Sequence, residues 1–428
     1  MIGCGYLGVT HAVGMAEMGH QVLGVEIDPI KLALLQKGEP SFHEPGLGGP
    51  LGEHVRSGRL RFTDDFVEAG SFGELHFLCV GTPQMARSNA ADVSQVFTAV
   101  DALTPHLHDQ PLVVGKSTVP VGTAEQLAAR LGDRAKLAWN PEFLREGYAV
   151  QDTLDPDRLV FGVGSEEAAD ALYDLYAPMI SGGTPVITTD LATAELVKVA
   201  ANAFLATKVS FINAISEVCE ATGADVVDLA DALGHDVRIG RRFLNAGIGF
   251  GGGCLPKDIR GFLHRAGELG VEDAMGFLHQ IDEINTRRRA HAVAVARDML
   301  NGSLEGRQVA VWGAAFKPDS DDVRDSPALV IAGQLHLAGA QVRVYDPAAA
   351  ETARRIYPTL EYAGSALGAA QGADLVLHLT EWREFRELDP AVVLDVVATP
   401  RLLDGRNVLD LARWRSAGWH VRGMGRRG

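Results

Sequence analysis

Short apolar runs alternate with helix-like stretches through the first part of the chain. The apolar runs have the length of β-strands and fall at Gln21–Ile27, Leu75–Val80, Leu112–Val114 and Leu159–Val163. Stretches with a helical pattern separate them, as at Val93–Leu103 and Thr123–Leu131. Strands that alternate with helices form a parallel sheet whose two faces are covered by the helices. The pattern therefore predicts an α/β fold.

The pattern changes after Asp190. Neither glycine nor proline interrupts Leu191 through Thr222, which predicts one long helix or two helices in line. Such a length is unusual in a globular domain, so this segment is a candidate both for domain linkage and for an oligomer interface. Helical segments continue to about Leu300.

A second alternating block begins at Val309 and echoes the first. The sequence MGHQV precedes EIDP in the first block, and AGAQV precedes YDP in the second. The simplest organisation is two Rossmann-like parallel-sheet domains joined by a long central helix. We place the domain boundaries at 1–189, 190–300 and 301–428.

Composition narrows the class of protein. The formal net charge of −16 disfavours a nucleic-acid or anionic-membrane surface, where basic residues are in excess. No uninterrupted apolar run reaches the roughly 20 residues of a membrane span, and the N-terminus lacks a signal-peptide layout. The four cysteines form no CxxC pair, so we expect neither a metal site nor a disulfide framework. A reducing cytoplasm is the expected location.

Gly3, Gly5 and Gly8 form a GxGxxG motif. In dinucleotide-binding folds these glycines permit a tight turn, close approach to a pyrophosphate and close packing of helix on strand. Glu26 follows at the end of a strand pattern, where a carboxylate accepts bonds from ribose hydroxyls and repels a 2′-phosphate. The combination favours NAD over NADP; the alternative is a plain glycine-rich turn.

The strand expected before this turn is very short. Only Met1 and Ile2 precede Gly3, whereas a buried strand normally has about five or six residues. We expect a natural start several residues upstream; the alternative is a damaged cofactor site.

A glycine-rich stretch, 247–253, leads into Cys254. Five of its seven residues are glycine, which permits the backbone to wrap closely around a ligand. Leu-Pro-Lys-Asp follows, a plausible helix start, so the thiol of Cys254 is expected at a helix N-terminus near Lys257 with a lowered pKa. The alternative is a buried structural cysteine, a description that suits Cys219 better.

Lys198 and Asn202 are four residues apart in the predicted long helix and therefore share a face. An ammonium and an amide there could stabilise a developing alkoxide. Spacing alone favours the alternative, two solvated polar residues. Lys208 lies off this face, and we interpret it as structural.

Further polar residues follow predicted strands, where open α/β sheets bind ligands. Thr118, Glu142 and Glu146 are such candidates, although both glutamates could be ordinary acids of a helix's first turn. In the second block three cations could neutralise a diphosphate: Lys317, Arg324 and Arg406. That block has no GxGxxG, so it is not expected to bind NAD in the usual manner.

With these residues assembled, the chain resembles the UDP-glucose/GDP-mannose dehydrogenase family over essentially its whole length. The motifs occur in the family's order: GCGYLG, VGTP, STVP, NPEFLREG, AANAFLATKVSFIN, RIG, GFGGGCLPKD, FKPDSDDVRDSP and DGR. One departure is Gly253, where the family usually has serine before the cysteine. The UDP-glucose branch is the most similar.

The resemblance implies a role for each matching residue. The catalytic set would be Cys254 as nucleophile with Lys198, Asn202, Asp258, Thr118 and Glu142 around the reacting oxygen. The cofactor set would be Gly3, Gly5, Tyr6, Leu7, Gly8, Glu26, Lys31, Thr82, Thr118, Glu146 and Lys257. The substrate set would be Glu142, Phe143, Leu144, Lys198, Asn202, Arg238, Phe250, Gly251, Lys317, Arg324 and Arg406, with Arg238 reaching across a dimer interface.

The family also implies a reaction. NAD-dependent four-electron oxidation would convert the C6 alcohol of UDP-glucose to UDP-glucuronate through a thiohemiacetal and a thioester on Cys254. The expected protein is a cytoplasmic homodimer with an NAD-binding domain, a central dimerisation and active-site domain, and a UDP-sugar-binding domain, and it would serve polysaccharide biosynthesis. The alternatives are oxidation of GDP-mannose and a non-catalytic nucleotide-sugar-binding protein.

Overall fold

The computed structural model describes residues 1–426, which divide into two compact units. Unit 1 comprises Met1–Ala201 and Arg260–Gly270. Unit 2 comprises Asn202–Ile259 and the chain from Val271 onward. Each unit is built on its own sheet, as the two alternating blocks of sequence predict.

The strands of unit 1 follow the order expected for a dinucleotide-binding sheet. They are β1 (Val22–Val25), β2 (Leu60–Thr63), β3 (Leu75–Leu78), β4 (Leu112–Gly115), β5 (Lys136–Trp139), β6 (Leu159–Val163) and β7 (Val186–Thr189). Ile2 bridges β1 through Val25 and β3 through Leu78, both in parallel, so it occupies the central strand position. The strand order β2-β1-Ile2-β3-β4-β5 is the doubly wound order of the Rossmann fold. One pair departs from the parallel prediction, because β6 runs antiparallel to β5.

Helices cover this sheet and begin at residues suited to capping. They are α1 (Tyr6–Glu17), α2 (Pro29–Leu35), α3 (Gly48–Arg56), α4 (Phe66–Phe72), α5 (Ser94–Leu103), α6 (Thr123–Leu131), α7 (Ala149–Leu154), α8 (Glu166–Leu175) and α9 (Ala177–Ser181). Asp28, for example, accepts the amide hydrogens of Ile30 and Lys31 at the start of α2, where the helix itself offers no acceptor. The helices predicted at Val93–Leu103 and Thr123–Leu131 are confirmed as α5 and α6.

A single long helix, α10 (Leu191–Thr222), continues from unit 1 into unit 2. By length and composition it could cross a membrane, a property it shares with core helices of soluble proteins. Its buried polar residues, including Glu195, Lys198, Asn202 and Asn213, bond to other groups of the protein. Internal partners of this kind are typical of a core helix.

Of the remaining helices of unit 2, the first four precede its sheet in the chain and the other six alternate with its strands. They are α11 (Val226–Gly234), α12 (Leu255–Glu268, whose last turns lie in unit 1), α13 (Glu272–Met275), α14 (Phe277–Met299), α15 (Pro327–Leu337), α16 (Ala350–Ile356), α17 (Ala366–Ala370), α18 (Arg383–Glu387), α19 (Pro390–Leu394) and α20 (Leu411–Ser416).

The sheet of unit 2 repeats the strand order of the first. Its strands are β8 (Gln308–Trp312), β9 (Gln341–Tyr345), β10 (Glu361–Tyr362), β11 (Leu375–His378), β12 (Arg401–Asp404) and β13 (His420–Gly423). They are arranged β10-β9-β8-β11-β12-β13, all parallel. Packed aromatic rings of Trp312, Phe385 and Trp414 help fill the core of this unit. The predicted pair of Rossmann-like folds with a long central helix is confirmed.

Candidate functional site

The GxGxxG turn of unit 1 is shaped for a phosphate group. Gly3 has φ +90°, and a Cβ there would lie 2.9 Å from the backbone of Val80. A Cβ on Gly8 would lie 1.9 Å from the carbonyl oxygen of Gly3, so this helix–strand contact requires glycine. A Cβ on Gly5, at the N-cap of α1, would meet nothing within 4 Å. The open side of the turn therefore lies at a helix N-terminus, which suits the pyrophosphate of a dinucleotide.

Glu26 follows β1 and is buried. Its Oε1 accepts the amide hydrogen of Asp28 at 2.9 Å, which fixes the carboxylate beside the turn. Lys31 is exposed in the first turn of α2. The residues present fit an adenosine ribose at the position where Rossmann folds hold it.

A buried carboxylate that sequence analysis missed, Glu44, links the turn to a distant loop. It accepts the hydroxyl hydrogen of Tyr6 and the amide hydrogens of Gly147 and Ala149, the last two at 2.7 Å each. Burial and the bond to Glu44 raise the pKa of Tyr6 well above its usual range. Pro45 follows Glu44 in the sequence and indicates a turn, so the local sequence pattern does not mark Glu44 as a functional residue.

A second missed network lies under the loop that begins at Asn140. The ammonium of buried Lys116 donates to Oδ1 of Asn140 at 2.7 Å, and the hydroxyl of Tyr176 donates to the same oxygen at 2.7 Å. The ammonium lies 5.9 Å from the centre of the Phe77 ring. Burial lowers the pKa of Lys116 to about 8. These bonds fix the start of the NPEFLREG segment.

Glu142 and Lys198 form a largely buried ion pair in unit 1. Nζ of Lys198 lies 2.9 Å from Oε1 of Glu142, and Oε2 accepts the amide hydrogen of Leu144 at 2.6 Å. The ammonium also lies 5.6 Å from the centre of the Phe143 ring. The alternative that Glu142 and Glu146 begin a helix is wrong, because this segment is irregular and α7 starts only at Ala149.

The solvated interpretation of Lys198 and Asn202 is also wrong, since both side chains are buried. Spacing showed that they share a face but could not show which side of the helix is covered. Lys208, by contrast, donates to the carbonyl oxygens of Ile239 and Gly240 and so holds the RIG loop.

The STVP segment and the start of α6 that follows it are held by three hydrogen bonds within unit 1. The hydroxyl of Thr82 donates to the carbonyl oxygen of Thr118 at 2.6 Å. The carboxylate of Glu195 accepts the amide hydrogens of Gly122 and Ala124 at 2.7 and 2.6 Å, at the start of α6. Burial raises the pKa of Glu195 to about 7, against the opposing effect of these amides. Thr118 is thereby fixed at the carboxyl end of β4.

In unit 2, Cys254 lies directly before α12, as the sequence predicts. Its side chain is exposed, and its carbonyl oxygen accepts the amide hydrogen of Asp258 at 2.9 Å. The other three cysteines are buried; burial raises the pKa of Cys4 to about 12 and of Cys79 to about 11, and it also raises the pKa of Cys219. Of the four thiols, that of Cys254 is the one placed for chemistry.

Asp258 lies one turn into α12 and is buried. One oxygen accepts a bond from the side-chain amide of Asn202 at 2.6 Å, and the other accepts from Lys257. Asn202 of α10 therefore forms one cluster within unit 2 with Lys257 and Asp258, which lie more than 50 residues further along the chain.

The cations predicted for a diphosphate are placed in different ways. Arg406 donates to the carbonyl oxygens of Leu379, Gly249 and Phe316 at 2.7, 3.1 and 3.0 Å. Arg324 forms a two-point ion pair with Asp322, and its guanidinium occupies the space that a Cβ at 253 would need.

Lys317, the third of these cations, is partly buried, and Arg238 lies in the RIG loop. The ammonium of Lys317 lies 5.4 Å from the centre of the Phe316 ring. Arg238 is highly exposed and pairs with Asp236.

Asp346 is the counterpart in the second sheet of Glu26 in the first. It follows β9 at the position that Glu26 holds after β1. Its carboxylate accepts four backbone amide hydrogens, those of Ala314, Ala315, Ala348 and Ala349, and the indole hydrogen of Trp382. The carboxylate is committed to internal bonds that would compete with ribose hydroxyls.

Within the described residues, 1–426, no group of three or more His, Cys, Asp or Glu side chains is arranged to hold a metal ion.

Comparison with protein families covers most of the chain. Residues 1–180 match the NAD-binding domain of the UDP-glucose/GDP-mannose dehydrogenase family, residues 192–287 its central domain, and residues 310–411 its UDP-binding domain. The three matches follow the order of the two sheets and the intervening helices.

Individual relatives agree with this assignment. A UDP-glucose 6-dehydrogenase of Pseudomonas aeruginosa is 39% identical, with all of this chain and 97% of the relative aligned. One from Rhizobium meliloti is 38% identical over all of this chain and 99% of the relative. Among solved structures, a UDP-glucose dehydrogenase from Pyrobaculum islandicum superposes with a TM-score of 0.89 at 37% identity, covering 98% of this chain and 97% of that one.

Proposed function

Because the chain belongs to the UDP-glucose/GDP-mannose dehydrogenase family, we propose that it oxidises the C6 alcohol of UDP-glucose to the carboxylate of UDP-glucuronate, with NAD as oxidant. The observation that carries this proposal is the exposed thiol of Cys254 at the start of α12, one turn before the buried Asp258. A thiol can capture the aldehyde formed in the first oxidation as a thiohemiacetal, from which the second hydride can leave.

NAD, when bound, accepts one hydride in each of the two oxidations. In the first, C6 loses a hydride and its hydroxyl loses a proton, which gives the aldehyde. The sulfur of Cys254 then forms a bond to this carbon, and the carbonyl oxygen becomes the hydroxyl of a thiohemiacetal. Loss of a second hydride and a second proton leaves a thioester, which water cleaves to the acid and the regenerated thiol.

We propose that Lys198, held by its partner Glu142, stabilises the negative charge that develops on the substrate during the reaction. Negative charge develops on the C6 oxygen in each step, and a buried ammonium stabilises it more strongly than an exposed one would. Glu142 holds the ammonium in place at 2.9 Å and keeps its charge balanced before substrate enters. Thr118, Asn202 and Asp258 are assigned to the hydrogen bonds around the same oxygen and an attacking water.

The residues assigned to the cofactor lie in unit 1, apart from Lys257. The phosphates of the cofactor would bind at Gly3, Gly5, Tyr6, Leu7 and Gly8, and its ribose at Glu26 with Lys31 nearby. Thr82, Thr118, Glu146 and Lys257 complete the proposed set. The supporting observation is the open turn at the N-terminus of α1.

The nucleotide sugar is assigned to two groups of residues. Glu142, Phe143, Leu144, Lys198 and Asn202 would contact the sugar, and Phe250, Gly251, Lys317, Arg324 and Arg406 would contact the rest of the substrate. The match of residues 310–411 to a UDP-binding domain supports this division.

A cytoplasmic homodimer is also proposed. Three apolar side chains on α10 are exposed and spaced seven residues apart: Phe204, Phe211 and Val218. Residues at this spacing lie on one face of a helix, which suits a helix-to-helix contact between two copies. Arg238 would then reach the partner's substrate.

The chemistry is tested by stoichiometry. Two NADH should form for each UDP-glucose consumed, and Cys254→Ala should form no UDP-glucuronate because the aldehyde has no nucleophile to capture it. Cys219→Ala, which removes a buried thiol, is the control and should keep the stoichiometry. One NADH per sugar, or acid formed by Cys254→Ala, would contradict the proposal; GDP-mannose assayed in parallel tests the alternative substrate.

A further inference from the structure

The loop that carries Cys254 should be flexible by composition, yet the structure holds it at many points. Five glycines in 247–253 impose little conformational preference on the backbone. Side chains of α10 and α14 bond to it instead: Oδ1 of Asn213 accepts the amide hydrogen of Gly247 at 2.8 Å, and Arg288 donates to the Gly247 carbonyl at 3.0 Å. The order of this loop therefore comes from its neighbours.

The tightest hold falls on Phe250 and comes from one residue, Asn285 of α14. Oδ1 of Asn285 accepts the amide hydrogen of Phe250 at 2.7 Å, and Nδ2 donates to the carbonyl oxygen of Phe250 at 3.0 Å. One side chain thus satisfies both backbone groups of the same residue, as a neighbouring strand would. Asn285 is 1% exposed, so water does not replace these bonds if they are lost.

The same contact accounts for Gly249. A Cβ at this position would lie 2.5 Å from Oδ1 of Asn285, and its φ of +96° is one that other residues rarely adopt. Arg289, one turn beyond Asn285 on α14, donates to the carbonyl oxygen of Phe250 at 3.3 Å and forms an ion pair with Asp325. The backbone of the loop at Gly249 and Phe250 is therefore closely complementary to the side chain of Asn285 on α14.

We infer that Asn285 is a positioning residue for the reaction: by clamping the peptide of Phe250, it fixes the loop that places the Cys254 sulfur against the substrate carbon. Cys254 lies four residues beyond the clamp, and the three glycines between them impose little conformation of their own. The position of the sulfur therefore depends on the bonds that hold the loop, which are this clamp and the bond from the Gly252 amide to the carbonyl oxygen of Arg324 at 2.9 Å. Only the kinetic test of this inference rests on the proposed function.

The test uses Asn285→Ala and the isosteric Asn285→Asp in the full chain. Aspartate still accepts from the Phe250 amide, but it places a carboxylate oxygen against the Phe250 carbonyl, so both variants release the clamp. Thr286→Ala is the matched control, because Thr286 is the next residue on α14 and is exposed.

The first measurement, hydrogen exchange of the peptide covering 247–254, needs neither cofactor nor substrate. We expect faster exchange in both variants, confined to this loop, and wild-type exchange in Thr286→Ala. The second is kinetic: kcat with UDP-glucose should fall at least tenfold in both variants, while the KM for NAD changes less than twofold.

Unchanged exchange in the loop would overturn the inference, and so would faster exchange with kcat intact, since the loop would then need no clamp. A kcat loss accompanied by faster exchange throughout unit 2 would show a general structural role and would also overturn it. If the wild-type chain reduces no NAD with any nucleotide sugar, the proposed function fails, and the exchange result still reports on the clamp.

Discussion

At the scale of single residues, we propose that Glu26 sets the preference between NAD and NADP. Its carboxylate is buried beside the phosphate turn, where it would accept bonds from the ribose hydroxyls and repel a 2′-phosphate. Charge-assisted hydrogen bonds of this kind contribute about 1.5–3 kcal/mol each. We expect kcat/KM to be at least tenfold higher with NAD than with NADP, and we expect Glu26→Ala to narrow this ratio. Glu39→Ala, which removes an exposed carboxylate of unit 1, should leave it unchanged; equal kcat/KM for the two cofactors in the wild type would contradict the assignment.

Lys116 gives a pH dependence of stability with a defined sign. Burial lowers its pKa from 10.5 to about 8, so between these values the unfolded chain binds more protons than the folded one. The contribution of this group to the free energy of unfolding therefore rises with pH across that window, by at most about 3 kcal/mol. Relative to Lys116→Met, the wild type should gain in melting temperature between pH 8 and 10.5. Lys136→Met, which replaces an exposed lysine, is the control. If the difference in melting temperature between the wild type and Lys116→Met stays constant with pH, the pKa of Lys116 is not lowered by burial.

At the scale of elements, Glu44 joins the start of α1 to the loop before α7. The bonds to Tyr6, Gly147 and Ala149 fix the GxGxxG turn relative to the loop that carries Glu146. Glu44→Gln puts an NH₂ group against an amide hydrogen, so we expect a roughly tenfold weaker Kd for NAD, or about 1.4 kcal/mol.

Calorimetric titration measures this Kd, with Glu53→Gln on the exposed face of α3 as control. Tyr6→Phe should weaken binding in the same direction, and the double variant should lose less than the sum of the two, because both changes act on one network. Additive losses would show that Tyr6 and Glu44 act separately.

At the scale of the whole molecule, we propose that the phosphate-binding turn for NAD belongs to unit 1 and that Arg406, assigned to the nucleotide of the substrate, belongs to unit 2. Arg406 bonds to three backbone segments of unit 2 and to none of the turn that would hold NAD. Arg406→Ala should therefore raise the KM for UDP-glucose about tenfold or more, since several charge-assisted bonds are lost, and change the KM for NAD less than twofold. Arg354→Ala, an exposed arginine on α16, is the control. A change confined to the KM for NAD would mean that the two units have been assigned in reverse.

The sequence by itself determined what depends on neighbours in the chain. Alternating apolar runs predicted both sheets, the unbroken segment after Asp190 predicted α10, and Leu-Pro-Lys-Asp predicted the helix that begins after Cys254. Each of these features is set by residues within a few positions of one another, so a local pattern is sufficient to reveal it.

Tertiary structure decided what depends on partners far apart in the chain. Lys198 meets Glu142, Asn285 meets Phe250, and Glu44 meets Gly147 across 103 residues. Spacing along a helix shows which residues share a face, but burial depends on what packs against that face. A polar side chain that the sequence pattern predicts to be solvated can instead be buried when another element packs against its face. A buried polar group is stable only with a bonding partner, and that partner comes from a distant part of the chain.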